Sequence, residues 1–341
     1  MDAEPTIKLE GETFEALADT RQLTHDEWLV LRRTGLGGSD AGAVMNMNPY
    51  SSAFMIALDK QGKAPPKAET AAMKHGRRME PVIRREFPSI FSEETGVTPE
   101  TFASPWMYRS KIYPWMIANI DGVVKMPEGG FVTPDNIHLE GMGLLECKAT
   151  SSEKGWEDDS VPDMYYCQVT HYMTVLGMQW AIVAVLIVNR IEYRIVPLNL
   201  EFQTKLINAE RNFWTDFIQK GELPAPAGTE GEDEYLETLY PFSADIVKSL
   251  PPDMEALGER YLELTAEEAQ IAAEKERIKA QYKAAIGDAK AGVAGSIEAA
   301  WLRFSKKQFN KDRFNKDYPG VYEKYCEEIQ TSRFTVKRRK A

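Results

Sequence analysis

A chain of 341 residues is long enough for one large domain or two ordinary ones. Its 43% hydrophobic and 27% charged residues are the proportions of a folded globular protein and exclude disordered and collagen-like classes. The formal net charge of −11, from 41 basic against 52 acidic residues, excludes a surface that coats nucleic acid on all sides but leaves room for a local basic groove.

After a polar start, THDEWLVLRRTG (24–35) predicts a short helix, with Thr24 as the N-cap and glycine at the stop. GLGGSDAGAVM follows as a glycine turn that feeds Ser39 and Asp40 into a second helix. It lacks the spacing and the following Lys-Ser/Thr of a nucleotide-binding loop. Residues 69–87 have helical character despite Gly76 and Pro81, and they carry Glu80. YPWMIANIDGVVK (113–125) and GLLECKAT (143–150) have strand composition, separated by the turn signals PEGG and TPDN, and predict a hairpin or meander. Residues 162–177 show apolar spacing of helical period up to Gly177. Residues 180–198 then predict two strands, and 199–220 an amphipathic helix.

The expected fold class is α/β, a mixed central sheet flanked by helices, with an α+β C-terminal appendage. The expected divisions are a core at 1–221, a linker of Pro, Gly and acidic composition at 222–250, and an appendage at 251–341. The appendage predicts a long charged helix over about 253–285 whose apolar stripe is too intermittent for an extended coiled coil. A strand, a helix around 311–330 and a strand in SRFTVKRR follow, with the aromatic residues of WLRFSKKQFNKDRF expected to pack a small β layer and the basic C-terminal cluster to be solvated. Cys147, Cys167 and Cys326 form no CxxC pair, which speaks against a disulfide framework or zinc site and for a reducing cytoplasm. WAIVAVLIV is too short to span a bilayer, and no signal-like start precedes it, so a soluble protein without membrane partners is expected.

In a strand, residues i and i+2 share a face, so Glu146 and Lys148 project together while Leu145 and Cys147 point the other way. Taken alone, an ExK pair is an ordinary solvated pair, Asp121 in IDG an ordinary turn residue, and Glu80 an ordinary helix charge. In order along the chain they make a set of hard oxygen ligands with an ammonium beside them. Mg²⁺ takes such ligands, and close carboxylates are tolerated only where a cation offsets their repulsion. Two metal ions roughly 4 Å apart hold the attacking water and the departing oxygen in phosphodiester hydrolysis. A lysine near that water either assists its deprotonation or balances charge.

These stretches resemble the YqaJ-like viral recombinase family of the PD-(D/E)xK nuclease superfamily, the family of phage lambda exonuclease. The likeness covers about residues 24–220 and is carried by LRRTGLGGSDAGAV, HGRRMEPVI, IDG, LLECKAT and YYCQVTHYMTVLG in family order. The resemblance implies a restriction-endonuclease-like core in which Glu80, Asp121 and Glu146 are metal-binding acids, the Cys147 carbonyl is a further ligand and Lys148 is the catalytic lysine. It also implies a 5′-phosphate pocket, matched by Arg32 and Ser39 seven residues apart, with Arg33 as the competing arginine. A serine at a helix start and a guanidinium fork both suit phosphate oxygens, and helix capping by Ser39 is the alternative. Gln168 matches a glutamine beside the site. Asn119 stands where lambda exonuclease has a phosphate-holding serine, and Ile120 replaces the motif's proline.

The implied activity is Mg²⁺-dependent 5′-to-3′ digestion of one strand of linear duplex DNA, with two ions expected and Mn²⁺ as a substitute. It releases mononucleotides and leaves 3′ single strands for phage-type recombination. Implied partners are double-stranded DNA ends, a single-strand annealing protein and, in a homotrimeric ring, two further copies, all in the cytoplasm of a bacterial or phage-infected cell. The rival readings are an endonuclease of the same superfamily and a non-catalytic DNA-end-binding scaffold.

Overall fold

The computed structural model describes residues 4–66, 69–242, 244–327 and 332–339. It divides into two compact units between residues 243 and 244. Among the described residues of the first unit, the main sheet has five strands in the order β10-β9-β8-β5-β2. These are β2 (Glu100–Ala103), β5 (Gly122–Lys125), β8 (Met142–Thr150), β9 (Trp180–Ile187) and β10 (Arg190–Pro197). The β8–β9 pair is parallel and the others are antiparallel, so the expected mixed α/β sheet is observed. The two central strands are parallel because α5 (Asp163–Leu176) crosses between them, the connection such a pair requires. A smaller antiparallel sheet joins β1 (Phe14–Asp19), β3 (Trp106–Ser110) and β4 (Ile117–Asn119). A short ribbon pairs β6 (Phe131–Val132) with β7 (His138–Leu139).

Alternation along β8 and β9 sends the two faces of the sheet to different helices. Leu144, Val123, Ala181, Val183 and Val185 pack with Val169, Tyr172 and Met173 of α5. Leu145, Cys147, Val124, Ile182 and Ala184 pack with Ile83, Phe87 and Phe91 of α4 (Ala71–Thr95). Burying both faces explains why β9 reads as a continuous apolar run. Thr70 caps α4, which passes unbroken through Pro81 and Pro88. Pro88 has no N–H for the Arg84 carbonyl, and the Thr101 hydroxyl donates to that oxygen instead, at 3.1 Å.

The segment read as one strand over 113–125 is two, β4 and β5, which belong to different sheets. Asp121 occupies the crossing point between them. At the other end of the sheet, Val188 takes φ 58° in the tight turn between β9 and β10. An exposed β-branched residue in the left-handed region costs roughly 1–2 kcal/mol. Val188→Gly is therefore expected to raise unfolding stability by on the order of 0.5–1 kcal/mol after the extra chain entropy of glycine, measured as a shift in the urea midpoint at unchanged slope.

The other helices of this unit are α1 (His25–Arg32), α2 (Gly38–Val44), α3 (Ala53–Lys60), α6 (Leu200–Phe213) and α7 (Glu232–Leu239). Helix α6 runs on as a π-helical turn over Trp214–Ile218. Helix α7 lies inside the stretch expected as a linker. Tyr235, Leu236 and Leu239 pack on Phe54, Met55 and Leu58 of α3, and the buried Glu232 carboxylate accepts from the Ala227, Gly228 and Thr229 amides and from Ser52. Pro, Gly and acidic composition suggested a linker, whereas here the acid caps a turn and docks a helix.

The second unit comprises α8 (Asp253–Ile286), the hairpin of β11 (Ala291–Ala294) and β12 (Ile297–Ala300), and α9 (Lys311–Asp317). The expected long helix and first strand are observed, and the helix expected around 311–330 ends at Asp317, with 328–330 outside the described residues. Residues 332–339 form no regular element, although Phe334 meets Tyr261 edge-on at 5.9 Å, and Lys340 of the basic cluster is outside the described residues. Phe304 and Phe309 are 81% and 63% exposed rather than packed in a β layer. A two-stranded hairpin of four-residue strands offers them no second layer.

Candidate active site

Glu146 and Lys148 share the α5 face of β8, the side on which Leu144 meets Val169 and Tyr172. Lys148 Nζ donates to Glu146 Oε1 at 2.7 Å and to Gln168 Oε1 at 3.1 Å, and lies 4.5 Å from the centre of the Tyr165 ring. Gln168 Nε2 donates to the same Glu146 oxygen at 2.6 Å, so the amide reads both members of the ExK pair. Glu146 is buried, and its other oxygen, Oε2, has no hydrogen-bond partner.

Asp121 enters from the switch between sheets. Antiparallel pairing of β5 with β8 ends at Gly122↔Leu145, which leaves the Cys147 N–H without a strand partner on that side. The Asp121 carboxylate accepts that N–H at 2.9 Å. Gly122 is required next to it, because a Cβ there would stand 2.6 Å from the Phe102 carbonyl oxygen. Arg84 of α4 donates to the Asp121 carbonyl and grips both oxygens of Glu4, at 2.6 and 3.0 Å, tying the N-terminal segment, the helix and the switch together.

Glu80, one turn earlier on α4, completes the acidic set electrostatically. Burial, and then the Asp121 charge, push its carboxyl up to about 7. Burial, and again Asp121, push Glu146 up to about 8 against the opposing pull of Lys148. Burial raises Asp121 as well. Burial alone would lower Lys148, but Glu146 and Asp121 outweigh it and keep the ammonium charged well above its ordinary range. Burial and the Asp121 charge raise Glu80 and Glu146, and one buried Glu146 oxygen has no partner; a hard cation is a group that would offset both. Among the described residues no three His, Cys, Asp or Glu side chains are drawn up into a closed ligand cage. Glu146 leans on Lys148 and Gln168 instead. The donor set of carboxylates and a backbone carbonyl suits Mg²⁺, and Glu80, Asp121, Glu146 and the Cys147 carbonyl are the groups that would hold it.

A second cluster lies across α5. Arg32 Nη2 donates to Ser39 Oγ at 2.8 Å and to Asp40 Oδ1 at 2.7 Å. Ser39 does not cap its helix: Gly37 is the N-cap, and the Asp40 carboxylate accepts the Gly37 N–H at 2.9 Å. Arg33 turns away to Asp59 at 3.4 Å. Trp28 lies under the Arg32 guanidinium, 5.6 Å from ring centre to Cζ, and donates its indole N–H to Asn119 Oδ1 at 3.3 Å. Arg32, Ser39 and Asn119 are thus brought into one cluster. Leu36 pins the loop before α2 to β4 through bonds with Trp115 and Ile117 at 2.6 and 2.8 Å.

The two clusters adjoin at Gly38, where a Cβ would stand 2.6 Å from the Tyr172 ring and 2.9 Å from the Gln168 carbonyl. Only glycine lets α2 come this close to α5. Gln168 Nε2 is also 3.4 Å from Tyr172 Oη, so one turn of α5 touches both clusters. Further along α5, the fully buried His171 bonds the Ile117 carbonyl through Nε2 at 2.9 Å and Glu210 through Nδ1 at 2.8 Å. Since the carbonyl can only accept, Nε2 carries a proton, and the His171–Glu210 pair retains one more proton between them.

Asp40, Lys60, Arg84, Tyr165, Tyr172 and Trp28 belong to the site without being singled out as ligands or contacts from the sequence. GGSD exposes Asp40 as part of the turn, but its two cationic partners are 8 residues before and 20 after it, a pairing that no local pattern carries.

Residues 27–179 match the family described as YqaJ-like viral recombinase domain. The chain is similar to the uncharacterized protein YqaJ of Bacillus subtilis (strain 168), 28% identical over 333 residues that cover 95% of this chain and 97% of that protein. It is also similar to protein D345L of African swine fever virus (strain Badajoz 1971 Vero-adapted), 24% identical over 67% of this chain and 53% of that protein. Among solved structures, the alkaline exonuclease LHK-Exo of Laribacter hongkongensis, in its dAMP complex, aligns with TM-score 0.42 at 17% identity, over 63% of this chain and 98% of that one. A phage-related exonuclease of Haemophilus somnus 129PT aligns with TM-score 0.35 at 10% identity, over 57% of this chain and 100% of that one. The stretch that matches the YqaJ-like viral recombinase domain, residues 27–179, contains every side chain from Trp28 to Tyr172 in the two clusters.

Proposed function

We propose that this protein is a divalent-metal-dependent, Mg²⁺-using exonuclease that degrades the 5′-ended strand of linear duplex DNA to mononucleotides and leaves a 3′ single strand for recombination. The observation that carries the reading is the shared helix turn: Gln168 bonds Glu146 and Lys148, while Gly38 seats the Arg32–Ser39 pair against the same turn. That arrangement supports a hydrolytic centre beside an anion-holding pocket, as needed to measure cleavage from a phosphorylated end.

Glu80, Asp121, Glu146 and the Cys147 carbonyl would hold a divalent cation, which would supply Lewis acidity toward the phosphodiester and the attacking water. The chain's own groups do the rest. Lys148, held charged by its acidic neighbours, steadies the negative charge that develops on the phosphodiester; a free amine to take a proton is disfavoured while Glu146 stays beside it. Gln168 fixes the ammonium and the carboxylate relative to each other. Arg32 and Ser39 hold the terminal 5′-phosphate, with Asn119 acting through Trp28 rather than directly. DNA ends and a single-strand annealing protein are the proposed partners, in a cytoplasmic recombination pair. A ring of three copies would set an acidic outside around a basic channel; a monomer at micromolar concentration in light scattering would refute it. No helix among the described residues is long and apolar enough to cross a membrane.

The test uses Mg²⁺ and three matched duplexes: linear with 5′-phosphate, linear with 5′-hydroxyl, and covalently closed circular. Rapid loss of one strand from the phosphorylated linear duplex alone is expected. Cutting of the circle would favour an endonuclease, and binding of ends without any cutting would favour a scaffold. Arg32→Ala is expected to slow digestion of phosphorylated ends by about tenfold to a hundredfold while changing hydroxyl ends little, the loss of one or two charge-assisted hydrogen bonds. Equal loss on both ends would remove Arg32 from the pocket.

A further inference from the structure

The phosphate pocket has a floor with its own charge design. Asp40 is buried and both of its oxygens are occupied: Oδ1 accepts from Arg32 at 2.7 Å, and Oδ2 accepts from Lys60 at 2.7 Å and from the Gly37 amide at 2.9 Å. The Lys60 ammonium has no exposed surface and also donates to the Arg32 backbone carbonyl at 3.2 Å. One lysine on α3 therefore touches both the acid that aims the guanidinium and the backbone of the arginine that bears it. Both hydrogen bonds of the Arg32 guanidinium come from Nη2; Nε and Nη1 make none among the described residues, and 26% of the side chain is exposed.

An Arg–Asp pair alone sums to zero charge and would offer an anion little net attraction. Lys60 makes the group Arg32–Asp40–Lys60 sum to +1. Two neighbouring pairs cancel: Arg33 with Asp59, and His171 with Glu210. Burying an ammonium is costly, and its presence asks for a return beyond gluing three helices together, which an apolar side chain of the same volume would do as well.

We propose that Lys60 and Asp40 are positioning residues for recognition of the 5′-phosphate: Asp40 aims the Arg32 fork at the space beside Ser39, and Lys60 restores the positive charge that Asp40 cancels. The proposal rests on the reading of Arg32 and Ser39 as the phosphate pair. It predicts effects that follow net charge rather than packing.

The experiment measures anisotropy of fluorescent duplexes with 5′-phosphate or 5′-hydroxyl ends, using the full chain in chelator so that nothing is cut. The readout is the ratio of the two affinities, with thermal melts recorded for each variant. Lys60→Met, which leaves the group at zero, is expected to lower the wild-type ratio on the order of tenfold, the scale of one unit charge acting near a phosphate in partly screened surroundings. Asp40→Asn keeps an oxygen for Arg32 and removes the negative charge of the group; even where buried Lys60, already lowered by desolvation, sheds its proton without that counter-charge, the sum does not fall below +1, and the ratio is expected to hold or rise. The double variant, back at +1, is expected to recover most of what Lys60→Met loses, even where both variants melt below wild type. A wild-type preference that survives Lys60→Met, or a double variant no better than Lys60→Met, overturns the inference alone. If Lys60→Met fails to fold, a ratio for Asp40→Asn below wild type overturns it. A wild-type ratio of one would instead remove the phosphate-end reading on which it rests, and the inference with it.

Discussion

Lys148→Ala is expected to reduce duplex cleavage by about 10²–10⁴-fold, the range for losing a group that acts on charge or protons at the reacting centre. Lys148 is one of two donors to Glu146 Oε1 and the cation that restrains the mutual repulsion of the acids. Without it, Glu146 and Asp121 rise further and give up charge that a divalent ion needs. The Arg32–Ser39 pair is reached through α5 and not through Lys148, so end binding in chelator should stay close to wild type. Single-turnover cleavage and anisotropy on the same preparation check both halves. Cleavage that persists at the wild-type rate would remove Lys148 from the chemistry.

Glu146→Gln is expected to abolish cleavage while making the metal-free protein more stable at pH 8. Its carboxyl is raised from an ordinary 4.5 to about 8, chiefly by burial, and that of Glu80 to about 7. For an acid whose folded pKa lies above its unfolded value, the folded state holds the proton more tightly. The stability this contributes is complete below about 4.5 and is lost as pH rises through the folded value, here up to about 8. The metal-free wild type should therefore melt progressively lower from pH 5 to pH 8, and Glu146→Gln should flatten much of that slope, because glutamine keeps the acceptor for Lys148 and Gln168 and has no proton to lose. Added Mg²⁺ should reverse the trend in the wild type, raising its melting temperature more at pH 8 than at pH 6, since the ion binds the ionised acids. A wild-type melting temperature that is flat with pH and indifferent to Mg²⁺ and Mn²⁺ would sink the assignment of these acids as a metal site.

How much of this was legible beforehand depends on how local each feature is. Thr24 caps α1 through a reciprocal bond with Glu27, and Gly177 ends α5 at φ 69°, because capping is settled within one helical turn. The shared face of Glu146 and Lys148 follows from strand alternation, and the continuous apolar run of β9 from burial on both sides. The stretch 222–250 was misleading because composition registers Glu232 as an acid, and only its contacts with Ser52 and the Ala227–Thr229 amides make it an anchor.

The sequence by itself determined helices α1, α2, α4, α5, α6 and α8, strands β8, β9 and β10, and the residue types of the site, since these depend on dihedral preferences and periodicity over a few residues. Tertiary structure decided the rest: that the chain changes sheets at Asp121 so that its carboxylate meets the Cys147 amide, that Arg32 and not Arg33 turns to Ser39, and that Asp40 finds Lys60 on another helix. Each of these depends on where packing brings distant segments together. Buried charges then pair with whatever partner that packing supplies, because leaving them unpaired away from water is too costly.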